Sequence, residues 1–286
     1  MAKPVSPLRY PGGKSSLLPL VGSILSENDL QLGAYAEPFA GGCGLALSLL
    51  YTGQVSRIHI NDADPAIWSF WDSILNQTDS LVNLIEQSEV TVETWQQQRR
   101  TFMQQDASDP LTLGFAAFFL NRTNRSGIIK GAGVIGGLAQ KGNYKIDCRF
   151  NRQNLIKRIR RVAKYKGRIQ LTRLDALEFI RLAEETLPQR SLLFIDPPYF
   201  NKGSSLYTSF YLSKDHAVLA EEIQRLKRPW IVTYDNVPEI NVLYNPQRRY
   251  SFNVNYSVQT KRIATELLVA SPQVLLPRKV KVDRIA

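Results

Sequence analysis

Hydrophobic and polar positions along this chain change their period several times, and the changes outline its elements. The apolar stretch 17–25 follows a loop marked by Pro11, Gly12, Gly13 and Lys14, and its pattern predicts a helix. Residues 34–39 predict a short strand that runs into the glycine turn Gly41-Gly42-Cys43-Gly44, and residues 45–50 suit the helix that follows. Residues 57–62 predict a second strand ending on polar residues. Strand, glycine turn, helix and a strand with a terminal acid make up the βαβ nucleotide-binding pattern. From about 66 to 120 the period becomes that of amphipathic helices, with polar stretches such as Gln96-Gln97-Gln98-Arg99-Arg100, and a glycine-rich loop follows over 127–142.

Between 149 and 168 lies a dense basic segment with no acid in it, carrying among others Arg149, Arg152, Arg158 and Arg161. Leu155, Ile159 and Val162 recur there at helical spacing, which predicts a helix with one face on the core. Such a charge run, taken alone, also fits a solvated helix face. Strand signals return at 168–174, ending at Asp175, then at 191–195, 229–234 and 266–270. The run 191–195 is short and apolar after Ser191, as a buried central strand should be. The whole pattern predicts an α/β domain interrupted by a mostly helical insertion, without internal repeats.

Composition narrows the partners. The chain has 286 residues, enough for one large domain or a domain with an insertion, and a formal net charge of +11. That excess favours a polyanion such as nucleic acid, or an anionic membrane surface. Residues 1–19 hold no apolar run suited to a signal peptide and no 18-residue apolar segment follows, so the expected location is cytoplasmic. Cys43, Cys148, His59 and His216 are scattered without metal-ligand spacing, which argues against a zinc deaminase, a His/Cys-based metal nuclease or a disulfide framework, and no metal is expected.

Chemistry concentrates at Asp196-Pro197-Pro198-Tyr199, directly after the predicted central strand. The two prolines fix consecutive φ angles and remove two amide donors. Carbonyls and an acceptor-only carboxylate are then held where open α/β sheets bind ligands, with an aromatic ring beside them. That set suits an amine substrate. If Asp196 and the carbonyl of Pro197 accept the two hydrogens of an adenine amino group, the nitrogen is drawn toward tetrahedral geometry and its lone pair is freed, while Tyr199 can stack on the base.

Here the chain resembles the Dam-type (D12 class) adenine-N6 DNA methyltransferases. Asp196-Pro197-Pro198-Tyr199 matches the catalytic tetrapeptide of amino-methyltransferases, and Leu8-Arg9-Tyr10-Pro11-Gly12-Gly13-Lys14 looks like the family's N-terminal motif. Glu37-Pro38-Phe39-Ala40-Gly41 resembles its cofactor loop, and Asn61-Asp62 with Asp64 sits where its ribose-binding acid ends the second strand. Leu120-Asn121-Arg122 through Gly127 matches part of its DNA-recognition region, and residues 261–272 resemble its C-terminal strand.

The resemblance implies a class I S-adenosylmethionine-dependent methyltransferase fold, a Rossmann-like mixed sheet. Residues 1–69 and 166–286 would be catalytic, and 70–165 would be a mostly helical target-recognition insertion. Asp196, Pro197, Pro198 and Tyr199 would form the catalytic site. Tyr10, Lys14, Glu37, Pro38, Phe39, Gly41, Asp62, Asp175 and Asp196 would meet the cofactor, S-adenosylmethionine. Gly13-Lys14-Ser15 also looks like the tail of a phosphate-binding loop, but that motif needs glycine where Leu8 stands. Helix capping is the alternative role of both Asp62 and Asp175. Double-stranded DNA is the implied partner, met by Arg122, Arg125, Lys130, Arg149 and Arg152.

Two departures stand out. The family repeats glycine where this chain has Cys43 and then Gly44. Relatives that read GATC insert an aromatic ring from the recognition region into the duplex, whereas this chain has Arg125-Ser126-Gly127-Ile128-Ile129-Lys130, so GATC specificity is not expected. The expected reaction is methylation of adenine N6 by base flipping and direct transfer. Its rivals are a cytosine-N4 DNA methyltransferase, an RNA adenine-N6 methyltransferase and a catalytically silent DNA-binding protein. The resemblance leaves open a restriction endonuclease as partner.

Overall fold

The computed structural model describes residues 4–9, 14–200, 211–256, 262–277 and 283–284. Strands β1 (Ala34–Glu37), β2 (Arg57–Asn61), β3 (Ile169–Thr172), β4 (Ser191–Ile195), β5 (Trp230–Asp235), β6 (Arg248–Tyr256), β7 (Arg262–Ala270) and β8 (Asp283–Arg284) form one sheet in the order β3-β2-β1-β4-β5-β7-β6-β8. The pairs from β3 across to β5 are parallel, and β7 runs antiparallel to both β5 and β6. From β1 the chain moves outward to β2 and β3, then returns to place β4 on the other side of β1. The C-terminal ends of β1 and β4 therefore flank a switch point, where open α/β sheets hold ligands.

β4 coincides with the strand expected over 191–195, and the parallel strands β1, β2, β3 and β5 fall within a few residues of their expected spans. Along β4, Leu192 and Phe194 join the core on one face of the sheet while Leu193 and Ile195 join the core on the other. A strand covered on both faces carries a nearly continuous apolar run, which makes it readable. β6 has no counterpart among the expected strands, and β7 begins earlier than the expected 266. Arg248, Arg249, Tyr250 and Ser251 are only half-buried, so β6 carries no apolar run to announce it.

Helices α1 (Leu18–Glu27) and α2 (Gly44–Tyr51) cover one face of the sheet. The connection from β2 to β3 is a layer of helices: α3 (Pro65–Asn76), α4 (Thr78–Gln87), α5 (Val92–Gln104), α6 (Pro110–Thr123) and α7 (Arg152–Ala163). α3 opens on Asp64, whose carboxylate accepts the amides of Ala66 and Ile67 at 2.8 and 3.0 Å, and it continues across residue 70. Phe70 of α3 stacks on Phe118 of α6 with ring centroids 5.6 Å apart. A Cβ on Gly114 would lie 2.6 Å from the Ser69 carbonyl oxygen, so glycine at 114 permits that close helix approach. Leu155, Ile159 and Val162 of α7 are buried as their spacing predicts, each contributing about 1.5–3 kcal/mol of apolar burial. These helices share one continuous core with α1, α2 and the sheet. The opposite face is covered by α8 (Ala176–Thr186), α9 (Ser213–Arg225) and α10 (Pro238–Leu243). Among the described residues, no helix is long and apolar enough to cross a membrane.

Candidate active site

Asp196 emerges from the C-terminal end of β4. Both its carboxylate oxygens lie 2.9 Å from Lys14 Nζ, and Thr233 Oγ1 on neighbouring β5 donates to Oδ1 at 2.7 Å. Lys14 stands in the short 3-10 turn that leads into α1, and it also donates to the Tyr199 hydroxyl at 2.9 Å. Its ammonium lies 5.0 Å from the centre of the Tyr199 ring and 3.8 Å from Glu266 Oε2. Tyr199 in turn donates its hydroxyl to Glu266 Oε1. Phe200 N donates to Asp235 Oδ1 at 3.0 Å, holding the chain that leaves the tetrapeptide against the end of β5. Lys14 thus bonds to Asp196 and Tyr199 and lies close to Glu266.

Glu266 is a member of this network that sequence reasoning missed. It is only 2 % exposed and sits in register opposite Asp235 across β5 and β7. Burial pushes its carboxyl up, and Lys14 opposes that shift. The available signal was a lone acid directly before the apolar run Leu267-Leu268-Val269. An acid so placed is costly to bury without a partner.

The end of β1 supplies a second acid. Glu37 is buried and accepts the Tyr35 hydroxyl at 2.9 Å; burial raises its carboxyl to about 8, partly opposed by that bond. Pro38 is held through its carbonyl by Asn61 Nδ2 at 3.0 Å. Asn61 also donates to the Leu174 carbonyl and accepts from Thr172 Oγ1 and Leu174 N, so one buried amide joins the ends of β1, β2 and β3. Phe39 is half-buried, its ring 5.9 Å from that of Tyr211.

Gly41 turns with φ 44° and donates its amide to Asp62 Oδ2 at 2.8 Å, while Asp62 Oδ1 accepts the Asp64 amide at 3.0 Å. Burial, then the charge of Asp64, raises the Asp62 carboxyl to about 7. The family departure at Cys43 resolves locally. Cys43 itself adopts the left-handed conformation with φ 50°, and a Cβ on Gly44 would lie 2.4 Å from Ser15 Oγ. Asp175 caps α8, accepting the Leu177 amide at 2.8 Å in a reciprocal pair with Glu178. Tyr10 lies outside the described residues.

The basic candidates divide into three groups. Arg122, at the end of α6, is 8 % exposed and donates Nε to the Arg149 carbonyl at 3.0 Å. Burial first, then the charges of Arg9, Arg158 and Arg149, lower its pKa to about 9. None of these four guanidiniums forms an ion pair among the described residues. Arg125 and Lys130 are exposed on the loop after α6. Arg152 instead joins α7 to α4 through the Ile85 carbonyl at 2.8 Å. Other residues of the basic segment are held in the same way: Arg160 pairs with Asp79 at 3.2 Å, and Arg161 lies 4.0 Å from the centre of the Tyr51 ring.

Asn121 of α6 ties the loop after that helix to the chain leading into Lys14. It is fully buried, accepts Arg9 N at 2.8 Å, and donates to the carbonyls of Arg9 and Gly127 at 2.8 Å each. Gly127 turns with φ 76°, and a Cβ there would meet the Arg9 carbonyl oxygen at 2.5 Å. Among the described residues, no group of His, Cys, Asp or Glu is arranged to hold a metal ion.

Comparison with known proteins places this geometry. Residues 10–258 match the family model of the D12 class N6 adenine-specific DNA methyltransferases. A comparison with curated protein sequences gave no match. Among solved structures, one similar chain is a candidate RNA methyltransferase from Pyrococcus horikoshii, at 12% identity and a TM-score of 0.43, covering 92% of this chain and 84% of the other. Another is a conserved hypothetical protein of Streptococcus pyogenes, at 13% identity and a TM-score of 0.33, covering 89% of this chain and 96% of the other. The family match spans most of the chain, and the sheet is the mixed, largely parallel one of class I methyltransferases. The chain belongs to the D12 class of N6 adenine-specific DNA methyltransferases and is an enzyme that methylates adenine in DNA.

Proposed function

We propose that the pocket formed by Lys14, Asp196, Tyr199 and Glu266 receives an adenine flipped out of duplex DNA and methylates its N6 directly, without a covalent enzyme intermediate. The observation that carries this reading is the Asp196 carboxylate, fixed at the end of β4 by Lys14 on one side and Thr233 on the other. Each carboxylate oxygen has two acceptor positions, so Asp196 keeps capacity for an incoming amino hydrogen while its present bonds hold it still. Its side chain is 20% exposed, against 4% for Lys14 and 2% for Glu266, which supports Asp196 as the acid that meets substrate. The carbonyl of Pro197 takes the second amino hydrogen. Tyr199, its hydroxyl held by Lys14 and Glu266, lines the pocket with a fixed ring, and Glu266 is a positioning residue acting through Tyr199 and Lys14.

The residues at the ends of β1 and β2 fit S-adenosylmethionine. Asp196 and Glu266 flank the buried Lys14, with Glu37 near it, and these acceptor groups suit the ammonium of such a donor. The cofactor supplies a methyl group on positive sulfur that leaves as a neutral thioether. Lys14, Glu37, Pro38, Phe39 and Gly41 would hold its methionine part, Asp62 its ribose hydroxyls and Asp175 the neighbourhood of its adenine. As the amine nitrogen gains positive charge during transfer, the prearranged carboxylates stabilise it without reorganising, and the surplus proton then leaves toward Asp196 or water.

The helices α3 to α7 and the loop after α6 would serve as the target-recognition part, inserted in a catalytic domain formed by the remaining chain. Arg9, Arg122, Arg149 and Arg158 would meet the phosphate backbone, with Arg125 and Lys130 beside them. A cytoplasmic location, where DNA and the cofactor meet, completes the proposal. The experiment compares wild type with Asp196→Ala for transfer of labelled methyl from S-adenosylmethionine to duplex DNA, with DNA binding measured in parallel. Loss of transfer with binding retained supports the proposal; transfer at the wild-type rate by the variant would overturn it.

A further inference from the structure

A long groove on the recognition side lies between α5 and the glycine-rich loop, with a volume of about 820 Å³. Its α5 wall presents Gln96, Arg99, Arg100, Met103 and Gln104, all exposed and on one helical face. Trp95, which also lines the groove, and Phe102 anchor the helix into the core, and Trp95 Nε1 donates to Asn124 Oδ1 at 2.6 Å. The opposite wall carries Arg125 and the exposed Leu138. No acid lines the groove, and neither Arg99, Arg100 nor Arg125 makes an ion pair among the described residues. The Arg99 guanidinium lies 5.5 Å from the centre of the Trp95 ring, which restrains it without neutralising it.

The loop wall is anchored rather than loose. Asn124 bridges to Val134, Arg125 N donates to the Gly133 carbonyl at 3.0 Å, and Ile135 N to that of Thr123 at 2.9 Å. Gln140 donates to the carbonyls of Ile135 and Gly137 and accepts the Ile146 amide.

We infer that the exposed face of α5 beside this groove docks on duplex DNA and reads base edges in its major groove. The inference deepens the proposed function, and rests on DNA being the substrate. Glutamine amides pair bidentately with adenine edges, arginines with guanine edges, and apolar side chains with the thymine methyl. Gln96 and Gln104, Arg99 and Arg100, and Met103 present all three on one helix, about 20 Å long and narrow enough for the groove. A face that only held phosphates would need cations but neither paired amides nor apolar tips.

The test selects duplexes from a randomised pool by binding, for wild type and for Gln96→Ala, Arg99→Ala, Arg100→Ala and Gln104→Ala, all surface changes. Wild type selects a consensus, and at least one variant loses preference at one or two of its base pairs, by roughly five- to a hundredfold, while the rest of the consensus stays. A wild type without consensus, or variants that keep every preference and weaken binding uniformly with a shallower salt dependence, would overturn the inference and leave α5 a phosphate-binding face at most. Methyl transfer measured on the same pool keeps the two questions apart, because its absence would count against the proposed chemistry without altering the binding selection.

Discussion

Charge is handled in opposite ways at the strand ends and around α6 and α7. At the C-terminal ends of β4 and β5, beside the middle of β7, Lys14, Asp196, Tyr199 and Glu266 bond to one another in a largely buried cluster. Around α6 and α7, Arg9, Arg122, Arg149 and Arg158 gather with no ion pair to a carboxylate among the described residues, and burial and mutual repulsion lower the pKa of Arg122. A closed network of opposite charges resists rearrangement, which suits a site that must align reacting atoms within a fraction of an ångström. A partly buried group of like charges is poorly satisfied until an anion arrives, which suits a surface whose ligand is a polyphosphate. Asn121 joins the two regions by holding the segment that leads into Lys14 against the loop that follows α6.

The contrast is broken most severely at Asp196. Asp196→Ala should lower kcat by at least about a hundred- to a thousandfold, the scale of losing one preorganised group, while the affinity for DNA stays within a small factor. Arg122→Gln should do the reverse. DNA affinity falls, and the slope of log K against log salt becomes shallower by about 0.9 for each phosphate no longer neutralised, while single-turnover methyl transfer on saturating DNA stays near wild type.

Smaller changes sharpen the comparison. Asn121→Ala removes two hydrogen bonds to Arg9 and one to Gly127 and should reduce stability by about 1–3 kcal/mol, read from urea denaturation. Its KM for DNA should rise as the recognition loop loses its register with the pocket. The least change comes from Glu37→Gln. Folding raises the Glu37 carboxyl from its ordinary 4.5 to about 8, so between those values the folded chain holds a proton that the unfolded chain gives up. Stability from this group is therefore present below about 4.5 and declines as pH rises toward about 8. The glutamine variant should show a flatter stability profile over that window, and parallel profiles would count against a protonated Glu37.

Legibility in the sequence followed burial. β4 declared itself because both its faces are covered, and Leu155, Ile159 and Val162 declared α7 because only one face is. β6, half-buried along Arg248 to Ser251, left no such trace. The same rule held at the site. Asp196 was visible through two prolines that are chemically conspicuous, and Asp62 through its place after a strand. Glu266 was hidden because its meaning depends on Tyr199 and Lys14, which approach it only through strand pairing and the turn before α1. Arg152 shows the converse, since a basic residue in a basic run reads as a DNA ligand while local sequence gives no sign that its guanidinium also holds the end of α4. Which charges are paired is a property of the packed molecule, and local sequence carries little of it.

The most direct test of adenine-N6 chemistry at Asp196 is the identity of the methylated nucleoside. Unmethylated duplex DNA incubated with the protein and labelled S-adenosylmethionine, then digested to nucleosides, should yield label in N6-methyladenine alone, and none when Asp196→Ala replaces wild type. Label in N4-methylcytosine, or N6-methyladenine formed equally well by the alanine variant, would contradict it.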